Sequence, residues 1–252
     1  MKKRSEYRYP SVSSITQTEH IKIVKEIFST ITKRYDFLNH LLSMRRDIAW
    51  RRFAVNKMRF FQTNHLLDVA CGTADVSIMA AMKRPEIRVT GLDFVQAMLE
   101  IGQKKISSKG LSDRIKLIRG DAVFLPFADS TFDAACIAFG IRNIPDRVSA
   151  LQEMMRVTVP GGQIIVLEMT FSRNSIFRKL YHTYLNRILP NLAKRFSVNA
   201  GAYFYLSDSI MNFPAPEEFA YIMEDIGFEQ VKQYRLTMGI TYLHTGIKPN
   251  IK

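Results

Sequence analysis

The stretch HLLDVACGTADVSIMA, residues 65–80, decides the fold of this 252-residue chain. Its first half is apolar and predicts a buried strand, whereas from Val76 onward the apolar residues are spaced as in an amphipathic helix. Between the two halves lies a single glycine, Gly72, with the hydroxyl of Thr73 beside it. A strand, a glycine and a helix in this order predict the joint at which a parallel α/β sheet receives a nucleotide.

Strand and helix patterns alternate along the chain on both sides of this joint. Strands are predicted over 65–70, 87–93, 114–120, 134–140 and 163–169, and helices over about 74–84, 95–110, 145–157 and 216–226. Pro160-Gly161-Gly162 is expected to form a turn, and Tyr203, Phe204 and Tyr205 are expected to lie in a loop. Such alternation predicts a mostly parallel sheet with helices on both faces.

The end of the chain narrows this fold class. FEQVKQYRL and GITYLHTGIK predict a final hairpin added to the parallel sheet. By analogy, that hairpin indicates the Rossmann-like fold of class I S-adenosylmethionine (SAM)-dependent methyltransferases, with seven strands and an antiparallel last strand. We expect an N-terminal helical cap over residues 1–62 and a methyltransferase domain over 63–252, with a helical insertion at about 171–200.

Acidic residues near three successive strand ends favour SAM over a dinucleotide. An NAD or FAD site needs G-x-G-x-x-G, but the joint here reads A-C-G-T-A-D with one glycine, and SAM has no pyrophosphate to bind. Asp93 is predicted to accept hydrogen bonds from the ribose hydroxyls, and Asp121 from the adenine amino group. Asp68 lies in the first strand. Each acid alone is commonly a helix cap, but Asp68, Asp93 and Asp121 together with Gly72 predict a SAM site.

The composition indicates a cytoplasmic protein that meets an anionic surface. The net charge is +13, of which residues 1–62 carry +9 and residues 171–200 carry +6. Two such basic segments together predict an anionic partner such as membrane phospholipid or nucleic acid. Either segment alone is explained equally well as charged surface that keeps the protein in solution. The N-terminus has no apolar segment of the secretory type, and Cys71 and Cys136 suggest two buried thiols in a reducing compartment rather than a disulfide.

Longer motifs cover nearly all of residues 20–249. They are YDFLNHLLS at 35–43 with Trp50 beyond it, LPF at 125–127, FGIRN at 139–143, RVTVPGG at 156–162, YFYL at 203–206 and FP at 213–214. With these motifs the chain resembles the UbiE/MenG family of quinone C-methyltransferases. It departs from that family at Asp47, where the family signature usually has histidine, and any role of that histidine is in doubt here.

The resemblance implies methyl transfer from SAM to a ring carbon of a polyprenylated hydroquinone, without a metal ion. Demethylmenaquinol, which gives menaquinol, is the expected acceptor, and a ubiquinol precursor is the alternative or additional one. The family's cofactor contacts carry over onto Thr73, Asp93, Asp121 and Ala122, beside Asp68 and Gly72 from the strand-end pattern. The oligomeric state is left open between a monomer and a homodimer.

The catalytic residues are predicted by their place in the motifs. Arg142 follows the fourth strand and is expected to stabilise the phenolate formed when the hydroquinol loses a proton, and Asn143 to orient a ring oxygen. Tyr35 and Tyr203 are expected to hydrogen-bond to the ring or stack on it. The alternative for Arg142 is an ion pair with an acid, and for the tyrosines plain packing. The general base is not identified.

Two other functions fit a basic SAM-binding chain. An N6-adenine methyltransferase of RNA or DNA would be expected to carry an Asn/Asp-Pro-Pro-Tyr motif after the fourth strand, where this chain has FGIRN. A 5-cytosine enzyme would need a cysteine nucleophile there, but Cys136 lies inside the strand. A SAM-binding regulator or membrane scaffold would leave Arg142 and Asn143 unexplained. We therefore expect no nucleic acid partner.

A lipid-dissolved acceptor requires contact with a membrane. Residues 174–189 carry apolar side chains at three- and four-residue steps, flanked by Arg178, Lys179 and Arg187, without any acid. An ordinary helix packed on the sheet has the same apolar spacing. Together with the implied acceptor, the basic flank predicts peripheral association through 171–197 and the basic N-terminal region, on the inner face of the membrane.

Overall fold

The computed structural model of the chain describes residues 9–32, 39–40, 43–171, 183 and 200–250. Its helices are α1 Gln17–Ile31, α2 Arg46–Lys57, α3 Asp75–Lys83, α4 Gln96–Ser108, α5 Arg147–Val157, α6 Ala200–Met211 and α7 Pro216–Ile226. Its strands are β1 His65–Val69, β2 Arg88–Asp93, β3 Ile115–Arg119, β4 Phe132–Ala138, β5 Thr158–Glu168, β6 Glu229–Leu236 and β7 Thr241–Ile247. Short 3₁₀ turns lie at Val12–Ser14, Ile141–Asn143 and Thr237–Gly239.

The strands form one seven-stranded sheet in the order β3-β2-β1-β4-β5-β7-β6. Strands β1 to β5 pair in parallel, and β7 is antiparallel to both β5 and β6. Val69, the last residue of β1, pairs with Leu92 on β2 and Ile137 on β4, so the carboxyl ends of these strands meet at one edge. The predicted fold class, including the final hairpin, is confirmed.

The core lies on both faces of the sheet because its central strands are apolar on both sides. Leu66 and Leu67 are fully buried, each in a different apolar cluster. Trp50 and Val55 of α2 belong to the same cluster as Leu66. Helix α2 is therefore part of the core of the sheet domain, and a boundary at residue 62 stays a prediction.

Helix α1 begins at a capping box and packs apart from the main core. The Thr16 hydroxyl accepts a hydrogen bond from the backbone of Glu19 at 3.3 Å, and the Glu19 carboxylate accepts one from the backbone of Thr16 at 2.9 Å. This arrangement satisfies two N–H groups that a helix start otherwise leaves free. Val24 and Ile27 then pack with Tyr205 of α6 in a small cluster of their own.

Two local predictions were wrong. The segment around Tyr203 and Tyr205 is not a loop but lies within helix α6, where Tyr205 is buried against α1. Pro160-Gly161-Gly162 is not a turn between elements but lies inside β5, at a shift in register between β4 and β5. Gly161 has φ +74°, which explains why glycine suits a strand at this irregularity.

The predicted helical insertion at about 171–200, with Arg178, Lys179 and Arg187, falls almost entirely outside the described residues. No helix among the residues that the structure describes is both long and apolar enough to cross a bilayer.

Candidate cofactor and acceptor site

A cavity of about 410 Å³ lies at the carboxyl edge of the sheet, a volume typical of small-molecule sites. Its floor comes from the strand ends and the loops that follow them. Its roof is one face of α1, where Gln17, Ile21, Val24 and Phe28 recur at three- and four-residue steps. The cavity therefore lies between the sheet and the N-terminal helix.

The backbone at this edge adopts conformations that only a few residues accept easily. Gly72 has φ +55°, but Ala70 and Phe139, which follow β1 and β4, also have positive φ values of +51° and +59°. A Cβ on Gly140 would lie 2.8 Å from the Cβ of Ala70, so the two loops approach each other closely. Positive φ at residues other than glycine costs free energy and is concentrated at functional sites.

Asp93 is the carboxylate that the fold presents to the cavity. It is 7% exposed and accepts hydrogen bonds from the backbone N–H groups of Gly72 at 2.8 Å and Val95 at 2.9 Å. Burial raises the pKa of Asp93, while these backbone donors oppose the rise. The backbone of Phe94 is a third donor to this carboxylate. A carboxylate has about four lone-pair directions, so Asp93 can also accept a hydrogen bond from a ribose hydroxyl.

The end of β3 supplies the other predicted cofactor residues. Asp121 is exposed at the cavity, and its carboxylate accepts a hydrogen bond from the backbone of Val123 at 3.1 Å. Ala122 is buried and also lines the cavity. The structure therefore brings Gly72, Asp93, Asp121 and Ala122 together around one cavity.

The charge of this cavity has one sign. Three acids, Asp93, Asp121 and Asp146, line it, and among the described lining residues there is neither lysine nor arginine. A pyrophosphate would be repelled here, whereas a cationic ligand is favoured. SAM fits this set of carboxylates. It carries a positively charged sulfonium and ammonium group, and its hydroxyl and amino groups can donate hydrogen bonds to the carboxylates.

Asp68 and Thr73 lie beneath the cavity rather than along it. Asp68 is 1% exposed and accepts from the backbone and the hydroxyl of Ser77, at 3.0 and 2.6 Å, near the start of α3. Burial raises the pKa of Asp68 to about 6. The Thr73 hydroxyl accepts from Lys105 at 3.1 Å. These contacts favour helix capping for Asp68, the common alternative for an acid near a strand end. Cofactor binding by either residue stays a prediction.

Arg142 has an acid partner. Its Nη1 lies 2.5 Å from Glu168 at the end of β5 and 2.9 Å from the carbonyl of Phe139, and both charged side chains are nearly inaccessible. The Arg142 backbone also donates to Glu168, at 3.3 Å. Arg142 does not line the first cavity, so the ion pair that was its alternative role is present. Its predicted contact with the acceptor is not tested by this geometry.

Asn143 does line the cavity and is held by a buried hydrogen-bonded chain. The Tyr205 hydroxyl donates to Asn143 Oδ1 at 3.0 Å, and His20 Nε2 lies 2.8 Å from the same hydroxyl. Burial lowers the pKa of His20, which keeps the imidazole neutral near pH 7. Two side chains from distant segments therefore fix the amide whose predicted task is to orient a ring oxygen.

The departure at Asp47 has a structural role. Its carboxylate is 3% exposed and is bonded to the Ser43 hydroxyl at 2.6 Å, to His40 Nδ1 at 2.9 Å and to Arg51. Burial would raise the pKa of Asp47, but these partners hold it below its ordinary value. An acid here ties the signature segment to α2, and Arg51 in turn lies 5.2 Å from the ring centroid of Phe139.

The predicted catalytic roles of two tyrosines stay predictions, because the structure does not describe their side chains. Tyr35 lies outside the described residues, and Tyr203 is within α6 but its side chain is not described. Both cysteines are free; Cys136 is buried and Cys71 is partly so. Over the described residues no group of three or more His, Cys, Asp or Glu side chains is arranged to hold a metal ion.

Sequence reasoning did not assign Glu168, His20 or Tyr205 to the site. Glu168 had a usable signal, because it ends a predicted apolar strand as Asp93 does. His20 had none, since its partner Tyr205 is 185 positions away.

The comparisons with known proteins agree with this geometry. The profile of the ubiE/COQ5 methyltransferase family matches residues 15–248. The chain is 41% identical over 232 residues to the ubiquinone/menaquinone biosynthesis C-methyltransferase UbiE of Geotalea daltonii, covering 92% of this chain and 98% of that protein. It is also 41% identical over 223 residues to the demethylmenaquinone methyltransferase of Thermus thermophilus, covering 88% and 100%.

A solved structure shares the fold at low identity. A SAM-dependent methyltransferase of Thermotoga maritima, described as a possible histamine N-methyltransferase, aligns with a TM-score of 0.62 at 20% identity and covers 88% of this chain and 98% of that one. At this identity the likeness shows the architecture alone.

Proposed function

Since the chain belongs to the ubiE/COQ5 methyltransferase family, we propose that it transfers a methyl group from SAM to a ring carbon of demethylmenaquinol, giving menaquinol. Membership makes it a SAM-dependent C-methyltransferase of quinone biosynthesis. The observation that carries the cofactor assignment is the cavity with three carboxylates and no basic side chain among its described lining residues. A ubiquinol precursor is the second acceptor to consider, because several relatives are named for both quinones.

The residues around the cavity have different proposed roles in cofactor binding. Asp93 and Asp121 would accept hydrogen bonds from the ribose and the adenine, while Gly72 and Ala122 allow the close approach. When bound, SAM supplies a methyl group on a positively charged sulfur, which is already a good leaving group. The protein must therefore align the acceptor, exclude water and stabilise the negative charge that ring activation creates.

The acceptor side would rest on the residues after β4. Asn143, with its oxygen fixed by Tyr205, can present its N–H group to a ring oxygen. Arg142 donates to Glu168 and is proposed to place its remaining N–H groups near the acceptor. The apolar roof of α1 suits an aromatic ring and keeps water away from it, which strengthens these hydrogen bonds.

An assay with radiolabelled SAM tests the function. We expect label in menaquinol when demethylmenaquinol is offered in lipid vesicles under reducing conditions, and none in total RNA. Asp93→Ala serves as the matched variant with a damaged cofactor site. Label in RNA, or in the ubiquinol precursor alone, would contradict the proposal.

We further propose that the protein works in the cytoplasm at an anionic membrane surface. The two basic segments support this, and so does the rim of the cavity, where Ile21 and Phe124 are 45% and 79% exposed beside the exposed Lys22 and Lys25 of α1. Basic residues near an anionic leaflet contribute about 1 kcal/mol each.

Flotation with vesicles tests the membrane proposal. Anionic vesicles should retain the protein at low salt and release it at high salt. Lys22→Glu with Lys25→Glu should weaken retention, whereas Arg88→Glu at the opposite edge of the sheet should weaken it less. If retention on the vesicles depends neither on the salt concentration nor on these charge reversals, the proposal is contradicted.

A further inference from the structure

A second cavity of about 300 Å³ adjoins the first. Gln17 and Pro145 line both cavities and form their common wall. On the far side of that wall lie Ser13, Thr16, His20, Arg142, Arg147 and Asn212. The first cavity is lined by carboxylates, and this one by two arginines without any acid among its described lining residues. The two cavities therefore attract opposite charges.

Arg147 is the cation of the second cavity that has no ion-pair partner of its own among the described residues. It forms no hydrogen bond and no ion pair in the described part of the chain, and its Nε is inaccessible and without a partner. Its one recorded contact is with the ring of Phe213, whose centroid lies 5.3 Å from the guanidinium carbon. Burial lowers the pKa of Arg147, and the carboxylate of Glu168, which is paired with Arg142, opposes that shift only in part. An arginine that is charged, partly buried and unpaired is stabilised when an anion binds to it.

Arg142 differs from Arg147 in this respect. The charge of Arg142 is neutralised by Glu168, whereas Arg147, the first residue of α5, keeps its charge. A hydrogen-bonded chain runs through the wall, because His20 lines the second cavity, contacts Tyr205, and Tyr205 holds Asn143 in the first. The two cavities are therefore neighbours that share Gln17, Pro145 and this hydrogen-bonded chain.

We propose that Arg147 binds the anionic oxygen of the acceptor, so that the acceptor is used as the phenolate of a hydroquinol. This inference rests on the proposed function and names a further residue that contacts its substrate. The hydroxyl proton is released to water, and the electron pair left on oxygen is delocalised onto the adjacent ring carbon. Arg147 stabilises that negative charge with its planar fork of N–H groups.

A binding experiment tests the subsite without turnover. The probe is 2-hydroxy-1,4-naphthoquinone, an anion at neutral pH, and its uncharged partner is 2-methoxy-1,4-naphthoquinone. Quenching of the single tryptophan, Trp50, reports binding, because its ring lies 6.0 Å from that of Phe139 on the cavity wall. The wild-type chain should bind the anion about tenfold more tightly than the ether, as one charge-assisted contact allows.

Variants of Arg147 give the decisive comparison. Arg147→Gln should abolish the preference for the anion, Arg147→Lys should keep part of it, and Arg88→Gln, the same charge change at the opposite edge, should leave it intact. Equal preference in wild type and Arg147→Gln would overturn the proposal. Binding of inorganic phosphate to the wild type but not to Arg147→Gln, without binding of the naphthoquinone anion, would assign the cavity to a phosphate group and overturn the proposal as well.

Turnover separates this proposal from the proposed function. In Arg147→Gln the acid limb of the kcat profile should move to higher pH by about one unit, because the phenolate has lost its cation, while the KM for SAM stays unchanged. If the wild type methylates no hydroquinol, the proposed function fails although the binding preference still reports the subsite. If it methylates demethylmenaquinol with the same pH profile in both forms, the subsite alone fails.

Discussion

Asp133 and Asp93 stand at opposite edges of the same sheet and differ in how many protein donors they have. Asp133, near the start of β4, is fully buried and accepts from the backbone N–H groups of four consecutive residues, Phe61 to Asn64. Asp93 accepts from three N–H groups, those of Gly72, Phe94 and Val95, and faces a cavity.

Their pKa shifts follow from this difference. Burial alone would raise the pKa of Asp133, but its four backbone donors hold that pKa below its ordinary value. For Asp93 burial prevails over the backbone donors and the pKa is raised. The comparison teaches that a carboxylate saturated by its own chain holds the fold together, whereas an unsaturated one is available to a ligand.

The largest effect is expected at Glu168, a saturated carboxylate at the ligand edge. Arg142→Met should lower the free energy of unfolding by about 3–5 kcal/mol, because it leaves the Glu168 charge buried and unpaired. Replacing both residues, Arg142→Met with Glu168→Leu, should regain most of that loss in urea denaturation. If the single variant is as stable as the wild type, the number of protein hydrogen-bond donors to a carboxylate does not determine its contribution to stability.

The same double variant tests the predicted role of Arg142 in catalysis. With stability regained, kcat should still be about a hundredfold below wild type if Arg142 donates to the acceptor in the transition state. Recovery of turnover together with stability would assign Arg142 to structure alone.

Asp133 should show the next largest effect, and again on stability. Asp133→Ala removes the acceptor of four backbone N–H groups, and because residues 61–64 are exposed, water replaces part of what is lost. We expect a loss of about 3 kcal/mol in urea denaturation. Calorimetry should find unchanged SAM affinity in the folded protein, and Asp133→Asn, which keeps one oxygen, should be intermediate.

For Asp93 the comparison with Asp133 predicts the opposite result: a large loss of SAM affinity and a small loss of stability. Asp93→Ala should lower SAM affinity at least about tenfold, because one charge-assisted pair of hydrogen bonds to the ribose is lost. Its free energy of unfolding should change less than that of Asp133→Ala. Unchanged affinity in calorimetry would remove Asp93 from the cofactor site.

The smallest effect concerns Asp68, which is buried with few donors and has a pKa of about 6. A carboxyl group whose pKa is higher in the folded than in the unfolded state favours folding when protonated. Its contribution is lost as pH rises from about 4, the unfolded-state pKa, through about 6, the folded-state pKa. The stability of Asp68→Asn relative to wild type should therefore improve by about 1 kcal/mol between pH 5 and pH 7.5. A constant difference across that range would contradict the raised pKa.

Most of the sheet was predictable because its information is local. Apolar strands, a glycine after β1 and acids at strand ends determine where elements lie and which edge carries the site. The helix Ala200–Met211 was not predictable in this way, since its Tyr205 is buried by α1 rather than by neighbours in sequence.

The partners of individual side chains were harder to predict than the elements. The contact between Arg142 and Glu168 joins the ends of adjacent strands and follows from the strand order once that order is known. The contact between His20 and Tyr205 depends on how the N-terminal helix lies over the sheet, which no periodicity specifies. The environment of Arg147 was equally unpredictable, because the nearby Glu168 carboxylate is paired with Arg142 rather than with Arg147.

The positive φ angles at Ala70, Ala74 and Phe139 have a consequence for protein engineering. A left-handed residue other than glycine costs about 1–2 kcal/mol, so three of them place a reserve of removable strain at one edge of the sheet. Ala74 does not line the cavity, but its methyl group is fully buried in the core, so replacement by glycine would relieve strain and lose packing at the same time. Ala70 and Phe139 line the cofactor cavity, so replacement by glycine would change the wall of that cavity. At these two positions a gain in thermal stability would come with a loss of activity.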